Sequence, residues 1–86
     1  MKTTSSQITP EQFSLKLANQ LRNLREECGL SQEKVAQRAA ISTYTYQKFE
    51  KGESKPGTPM NPRLHTLLAL AKVFDISIND LLAFDD

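Results

Sequence analysis

Between Gln32 and Lys51 the chain reads QEKVAQRAAISTYTYQKFEK, and this segment constrains the fold more than any other. Apolar or small residues fall at Val35, Ala36, Ala39, Ala40, Ile41, Tyr46 and Phe49, with polar residues between them. Divided at Ala40-Ile41, it makes two short amphipathic helices. Val35, Ala36 and Ala39 form one inward stripe, and Tyr46 and Phe49 form a second. Ala36 is small where two helix axes must approach closely. Ser42 offers a side-chain oxygen to the free N–H groups that open the second helix. The two helices meet at a tight turn.

That layout is a helix-turn-helix, whose second helix is shaped to lie in the major groove of DNA. Around it stand LRNLREECGLSQEKVAQRA, STYTYQKFEKGE and LHTLLALAKVFDISINDLL. With GLSQ before the second helix, FEKG after the third and a leucine-rich return, residues 13–84 resemble the phage repressor and Cro type of helix-turn-helix domain. The resemblance implies an all-α, lambda-repressor-like fold: a compact bundle of five short helices with the helix-turn-helix at 32–51 in its centre. Two positions depart from the family pattern. The turn position usually held by Gly is Ala40, and Tyr46 is bulkier than the usual Ile or Val. At positive φ an Ala costs about 1 kcal/mol relative to Gly, so a slightly reshaped turn is expected.

Eighty-six residues suffice for one domain with a modest core. A single cysteine, Cys28, excludes an intrachain disulfide scaffold and fits a reducing compartment. No apolar run approaches the length of a membrane span, and MKTTSSQITP lacks the apolar stretch of a signal peptide. A soluble, cytoplasmic protein without membrane partners is the expectation. The net charge of +1 is low for a DNA binder. Its distribution is more favourable: residues 16–63 carry nine Lys or Arg against five Glu, while DISINDLLAFDD carries four Asp and no cation. A basic body with an acidic end can still present a positive face.

Residues 1–8 are polar and read as a flexible segment ahead of one domain over 9–86. Thr9-Pro10-Glu11-Gln12 is a helix start, with Thr9 as N-cap, Pro10 at the first helical position and Gln12 at the capping-box position. The first helix should bury Phe13, Leu17, Leu21, Leu24 and Cys28, and Gly29 should end it. Ser31 and Ser42 cap the second and third helices, and Gly52 stops the third. GESKPGTPMNP holds three of the four prolines and two of the three glycines, so it suits neither helix nor central strand. Beside the family pattern this connection, 53–63, is long, and residues 57–61 read as an insertion. The fourth helix should bury Leu64, Leu67, Leu68, Ala71 and Phe74. Ser77 caps a fifth that offers Ile78, Leu81 and Leu82, with Asp80 favourable near its N-terminus.

On the third helix Tyr46, Phe49 and Glu50 face inward, leaving Tyr44, Gln47, Lys48 and Lys51 outside and Thr43 at the exposed first turn. Gln pairs bidentately with adenine, Lys suits guanine edges, and Tyr44 or the Thr43 methyl suits a thymine methyl or a phosphate. By resemblance, Thr43, Tyr44 and Lys48 match base-reading positions; helical geometry adds Gln47. For the phosphates, the N-terminus of the second helix supplies N–H groups extended by Gln32. The resemblance adds Lys55 and Arg63 around the long connection; Lys51 and, more weakly, Arg22 complete the set. It also implies an ion pair between Arg25 and Glu50 that ties the first helix to the end of the third. The bland alternative for each of these polar side chains is an ordinary solvated surface position.

His65 is the lone histidine, so neither a zinc cluster nor a His-based triad can be assembled with Cys28 in one chain. PGTP lacks the Lys and following helix of a phosphate-binding loop. No catalysis, metal or cofactor is expected. The expected role is a sequence-specific, double-stranded-DNA-binding transcriptional regulator, a homodimeric repressor reading a short palindrome with residues 43–51. Phe84, Leu81, Leu82 and Met60 are candidate dimer contacts, with Phe84 alternatively packed on the first helix. The competing readings are a protein-interaction module that kept the fold, or an antitoxin whose partner is a toxin.

Overall fold

The computed structural model describes residues 7–84, in which five helices and a small hairpin follow one another along the chain. They are α1 (Pro10–Glu27), α2 (Gln32–Ala39), α3 (Thr43–Lys51), β1 (Glu53–Lys55), β2 (Thr58–Pro59), α4 (Leu64–Val73) and α5 (Ile78–Leu81). Of the segment expected to be flexible, residues 1–6 lie outside the described residues, as do Asp85 and Asp86; Gln7 and Ile8 are exposed.

The helix starts follow local chemistry. Thr9 accepts from the Gln12 N–H at 3.1 Å while the Gln12 side chain accepts from the Thr9 N–H at 3.0 Å, a complete capping box. Ser31, Ser42 and Ser77 each accept the N–H three residues on, at 3.0 Å in every case. Three helix ends use one device, a left-handed residue followed by a 6→1 bond. Gly29 (φ 68°), Ala40 (φ 61°) and Asp75 (φ 57°) occupy the left-handed position. The next residues, Leu30, Ile41 and Ile76, donate to the carbonyls of Arg25, Ala36 and Ala71 at 3.0–3.1 Å. Ala40 therefore holds the conformation its family counterpart reserves for glycine.

Leu17, Leu21, Val35, Ala36, Ala39, Tyr46, Phe49, Leu67, Leu70, Ala71, Phe74 and Leu81 form one buried cluster. Both inward stripes of the helix-turn-helix enter it, packing α3 against α1 and α2. Three sequence expectations need correction. Leu64 and Leu68 are 63% and 46% exposed, and Leu70 is fully buried in their place. Leucines occur on several faces of LHTLLALAKV, and the face chosen is the i, i+3, i+4, i+7 set of Leu67, Leu70, Ala71 and Phe74. Cys28 is exposed at the end of α1. Leu81, a candidate dimer contact, lies in the core, while the Phe84 ring meets Phe13 edge-on at 5.4 Å.

The long connection is more ordered than its composition suggests. β1 and β2 pair antiparallel, with a bulge between Glu53 and Lys55. Pro56-Gly57 turns the hairpin, with Gly57 at φ 79° as a type II turn requires. The hairpin docks through Ser14, a buried hydroxyl on α1 that donates to the Met60 carbonyl at 2.9 Å. Gly52 makes that approach possible. At φ 85°, it lies where a Cβ would meet Leu15 Cδ2 at 3.2 Å and the Ser14 carbonyl at 3.4 Å.

Ala40 is exposed, so its methyl contributes little packing to offset its strain. Ala40→Gly should stabilise the domain by about 1 kcal/mol, a melting-temperature rise of about 4–8 °C at this size. Thermal denaturation followed by circular dichroism checks this, and a fall in melting temperature would contradict it.

Candidate nucleic-acid interface

The geometry of α3 is set from inside by one carboxylate. Glu50 is 6% exposed and carries four donated hydrogen bonds. Its Oε2 accepts from Arg25 Nε at 2.6 Å and from the Tyr46 hydroxyl at 2.5 Å. Its Oε1 accepts from Arg25 Nη2 at 3.1 Å and from Gln32 Nε2 at 3.0 Å. Arg25 spans further, donating through Nη1 to the Leu30 carbonyl at 3.1 Å. Thus the last turn of α3 is bound to α1 through Arg25, to the start of α2 through Gln32, and to its own preceding turn through Tyr46. No buried side-chain polar atom among the described residues is left without a partner.

The electrostatics follow from that arrangement. Burial opposes the Glu50 charge, but hydrogen bonds from Arg25, Tyr46 and Gln32 outweigh it and hold the carboxyl below its ordinary range. The hydrogen bond to Glu50 raises the Arg25 guanidinium against the effect of burial. Burial, reinforced by the adjacent carboxylate, pushes the Tyr46 phenol well above its usual value, so it stays a neutral donor. Tyr46 was visible in the sequence only as an oversized core residue. Its hydroxyl partner four residues on, at the i+4 position of the same helix, is the signal that could have found it.

Outside this knot lie the polar residues of α3. Tyr44 is 67% exposed, Gln47 is exposed, and Thr43 and Lys48 are half-buried. Gln47 Nε2 donates to Gln32 Oε1 at 3.4 Å, so Gln32 joins the buried carboxylate to the outer stripe. The Lys48 ammonium stands 4.3 Å from the centroid of the Tyr44 ring. Between α3 and the hairpin runs a cleft of about 240 Å³ lined by Tyr44, Lys48, Lys51, Glu53, Ser54, Lys55 and Pro56. The structure thereby gathers Lys48, Lys51 and Lys55 along one side of α3. It places Arg22 differently: Nη1 donates to the Glu50 carbonyl at 2.9 Å and Nη2 to Asn19 Oδ1, so this guanidinium caps the end of α3. Arg63 is exposed at the N-cap of α4, outside the lysine cleft.

A helix-turn-helix domain family model matches residues 16–84. The chain belongs to the Cro-like helix-turn-helix regulators. An HTH-type transcriptional regulator, DdrOP3, of Deinococcus deserti is 38% identical over 68 residues, which are 79% of this chain and 48% of that protein. The chain therefore spans about half the length of this relative. An HTH-type regulator of Archaeoglobus fulgidus is 31% identical over 70 residues, covering 81% of this chain and 91% of that one. Among solved structures, a transcriptional regulator from Vibrio cholerae superimposes with a TM-score of 0.74 at 33% identity, covering 87% of this chain and 39% of that one. The restriction-modification controller protein C.AhdI of Aeromonas hydrophila gives 0.69 at 31% identity, covering 79% and 94%. The two curated relatives and the Vibrio cholerae structure are named as transcriptional regulators. Among the described residues no helix is long and apolar enough to cross a membrane.

Glu50→Ala would strand the Arg25 guanidinium and should cost about 3–5 kcal/mol. Tyr46→Phe removes one hydrogen bond to a charged acceptor and should cost about 1.5–3 kcal/mol. Urea denaturation measures both. Because the folded pKa of Glu50 is depressed, its contribution is complete above the unfolded value of about 4.3 and is lost as pH falls through the folded pKa. Stability should therefore fall with acid below about pH 4.3, and less steeply in Glu50→Gln. Equal acid slopes in the two proteins would contradict the assignment.

Proposed function

We propose that this helix-turn-helix regulator is a repressor that binds a short palindromic DNA site as a symmetric dimer, with α3 of each copy in the major groove. The observation that carries this reading is the division of α3 into two faces. Tyr46, Phe49 and Glu50 are buried, leaving Thr43, Tyr44, Gln47 and Lys48 on the other side of a helix whose orientation the Glu50 network sets. In this reading those four contact base edges. Lys51 and Lys55, at the cleft, take phosphates, as do Gln32 at the N-terminus of α2 and Arg63 beyond the hairpin. Arg22 keeps donor groups beyond its two intramolecular bonds and contributes at the edge of the contact.

Repression is steric: a bound dimer denies polymerase the same stretch of duplex. The two recognition helices would stand about 34–36 Å apart on one face of the DNA. With Leu81 in the core and Phe84 on Phe13, the candidates for the dimer contact include the partly buried Leu82 and Met60 and the exposed Leu15, Leu64 and Leu68.

Fluorescence anisotropy on DNA from immediately upstream of the gene, against a scrambled duplex, tests the reading. A preference for the upstream fragment, lost in Lys48→Ala, and an affinity falling steeply with salt are expected. Lys55→Ala should weaken both duplexes alike and reduce the salt slope by about one ion. No binding to either duplex at low salt would sink the proposal and leave a protein partner, such as a toxin, as the function to pursue. Sedimentation velocity checks the dimer separately, and a monomer at high concentration, with and without DNA, would exclude it.

A further inference from the structure

Tyr44 and Lys48 lie one turn apart on α3, a spacing that brings side chains into contact. The Lys48 ammonium is 4.3 Å from the Tyr44 ring centroid, and Tyr44 remains 67% exposed. No packing requirement of the core explains an aromatic residue there. The contact is weak by itself, and its consequence is geometric. Lysine carries a long, rotamer-rich side chain that loses much freedom when fixed. A ring beneath the ammonium narrows that freedom before DNA arrives, lowering what must be lost on binding.

We propose that Tyr44 and Lys48 act as one reading unit for a thymine–guanine step in the major groove. The inference rests on the DNA-reading role proposed for α3 and adds which step is read, and by which pair. Guanine presents two adjacent acceptors, N7 and O6, to a compact ammonium donor; adenine places an amino donor beside its N7, which the cation disfavours. A pyrimidine on the 5′ side of that guanine sets its C5 substituent next to the same edge. There the Tyr44 ring, already held against Lys48, meets it. Thymine offers a methyl group to the ring and the O4 acceptor to the cation. Cytosine offers neither, and its N4 amino group points a donor at the ammonium. 5-Methylcytosine restores the methyl but keeps the amino donor, and uracil keeps O4 but lacks the methyl. The pair therefore ranks the pyrimidine: thymine first, uracil and 5-methylcytosine between, cytosine last.

Selection of binding duplexes from a randomised library, followed by anisotropy on the selected site, tests this. The selected half-site should contain a TG step. On that site, 7-deazaguanine, which lacks N7, should weaken the wild-type chain about tenfold, and uracil should weaken it several-fold. Both penalties should shrink in Tyr44→Ser, and the 7-deazaguanine penalty should vanish in Lys48→Ala; a thermal melt confirms that each variant is folded. A selected site without a TG step overturns the inference while leaving specific DNA binding intact. So does a uracil penalty undiminished in Tyr44→Ser, which would assign the methyl contact to another side chain. Recovery of no enriched sequence at all removes the DNA-reading role beneath it.

Discussion

The orientation of α3 depends on a single buried carboxylate. Glu50 sits at the end of α3, and its two oxygens are shared among Arg25 from α1, Gln32 from α2 and Tyr46 from α3 itself. A buried charge is tolerated only when it is paired and hydrogen-bonded, and here the donors aimed at it come from three helices, two from Arg25 and one each from Gln32 and Tyr46. The arrangement need not add net stability over an apolar core to matter. It specifies one rotation and one axial position for α3, since any slip would leave a desolvated carboxylate or guanidinium without a partner. Arg22 completes the restraint by holding the Glu50 carbonyl.

The same knot reaches the surface. Gln32 donates one N–H to Glu50 and accepts from the Gln47 side-chain amide, so the outer polar stripe is connected by two hydrogen bonds to the buried charge. On the other side of α3 the Pro-Gly hairpin, seated through Ser14 and Gly52, brings Lys55 alongside Lys48 and Lys51. A net charge of +1 is thus compatible with a locally basic face, because the cations converge there while Asp75 and Asp80 lie at the far end of the chain. Local density of charge, rather than the sum, sets what an approaching phosphate meets.

Much of this was legible from residue types and spacing. Serine and threonine caps, the left-handed ends and the two inward stripes of the helix-turn-helix depend on interactions within a few residues, and the helices appear where those signals put them. The Arg25–Glu50 pair is long-range and came from family resemblance rather than from local pattern; the structure shows it at 2.6 Å. The misreadings share a cause. In α4 leucines point several ways, so periodicity could not choose between Leu68 and Leu70, and the choice was made by contact with distant α2. Tyr46 looked merely large because its hydroxyl is satisfied by a neighbour whose own burial depends on Arg25. The hairpin stayed hidden because its pairing rests on a short, proline-containing strand with a bulge.

The most direct test is to titrate the isotopically labelled protein with a short duplex at low salt and follow its backbone amide NMR signals. With α3 as the face presented to DNA, the shifts concentrate at Gln32, Thr43 to Lys48, Lys51 and Lys55, with α4 beyond its first turn and α5 silent. Shifts centred on α4 and α5, with α3 unchanged, would contradict the claim that this helix is the face presented to DNA.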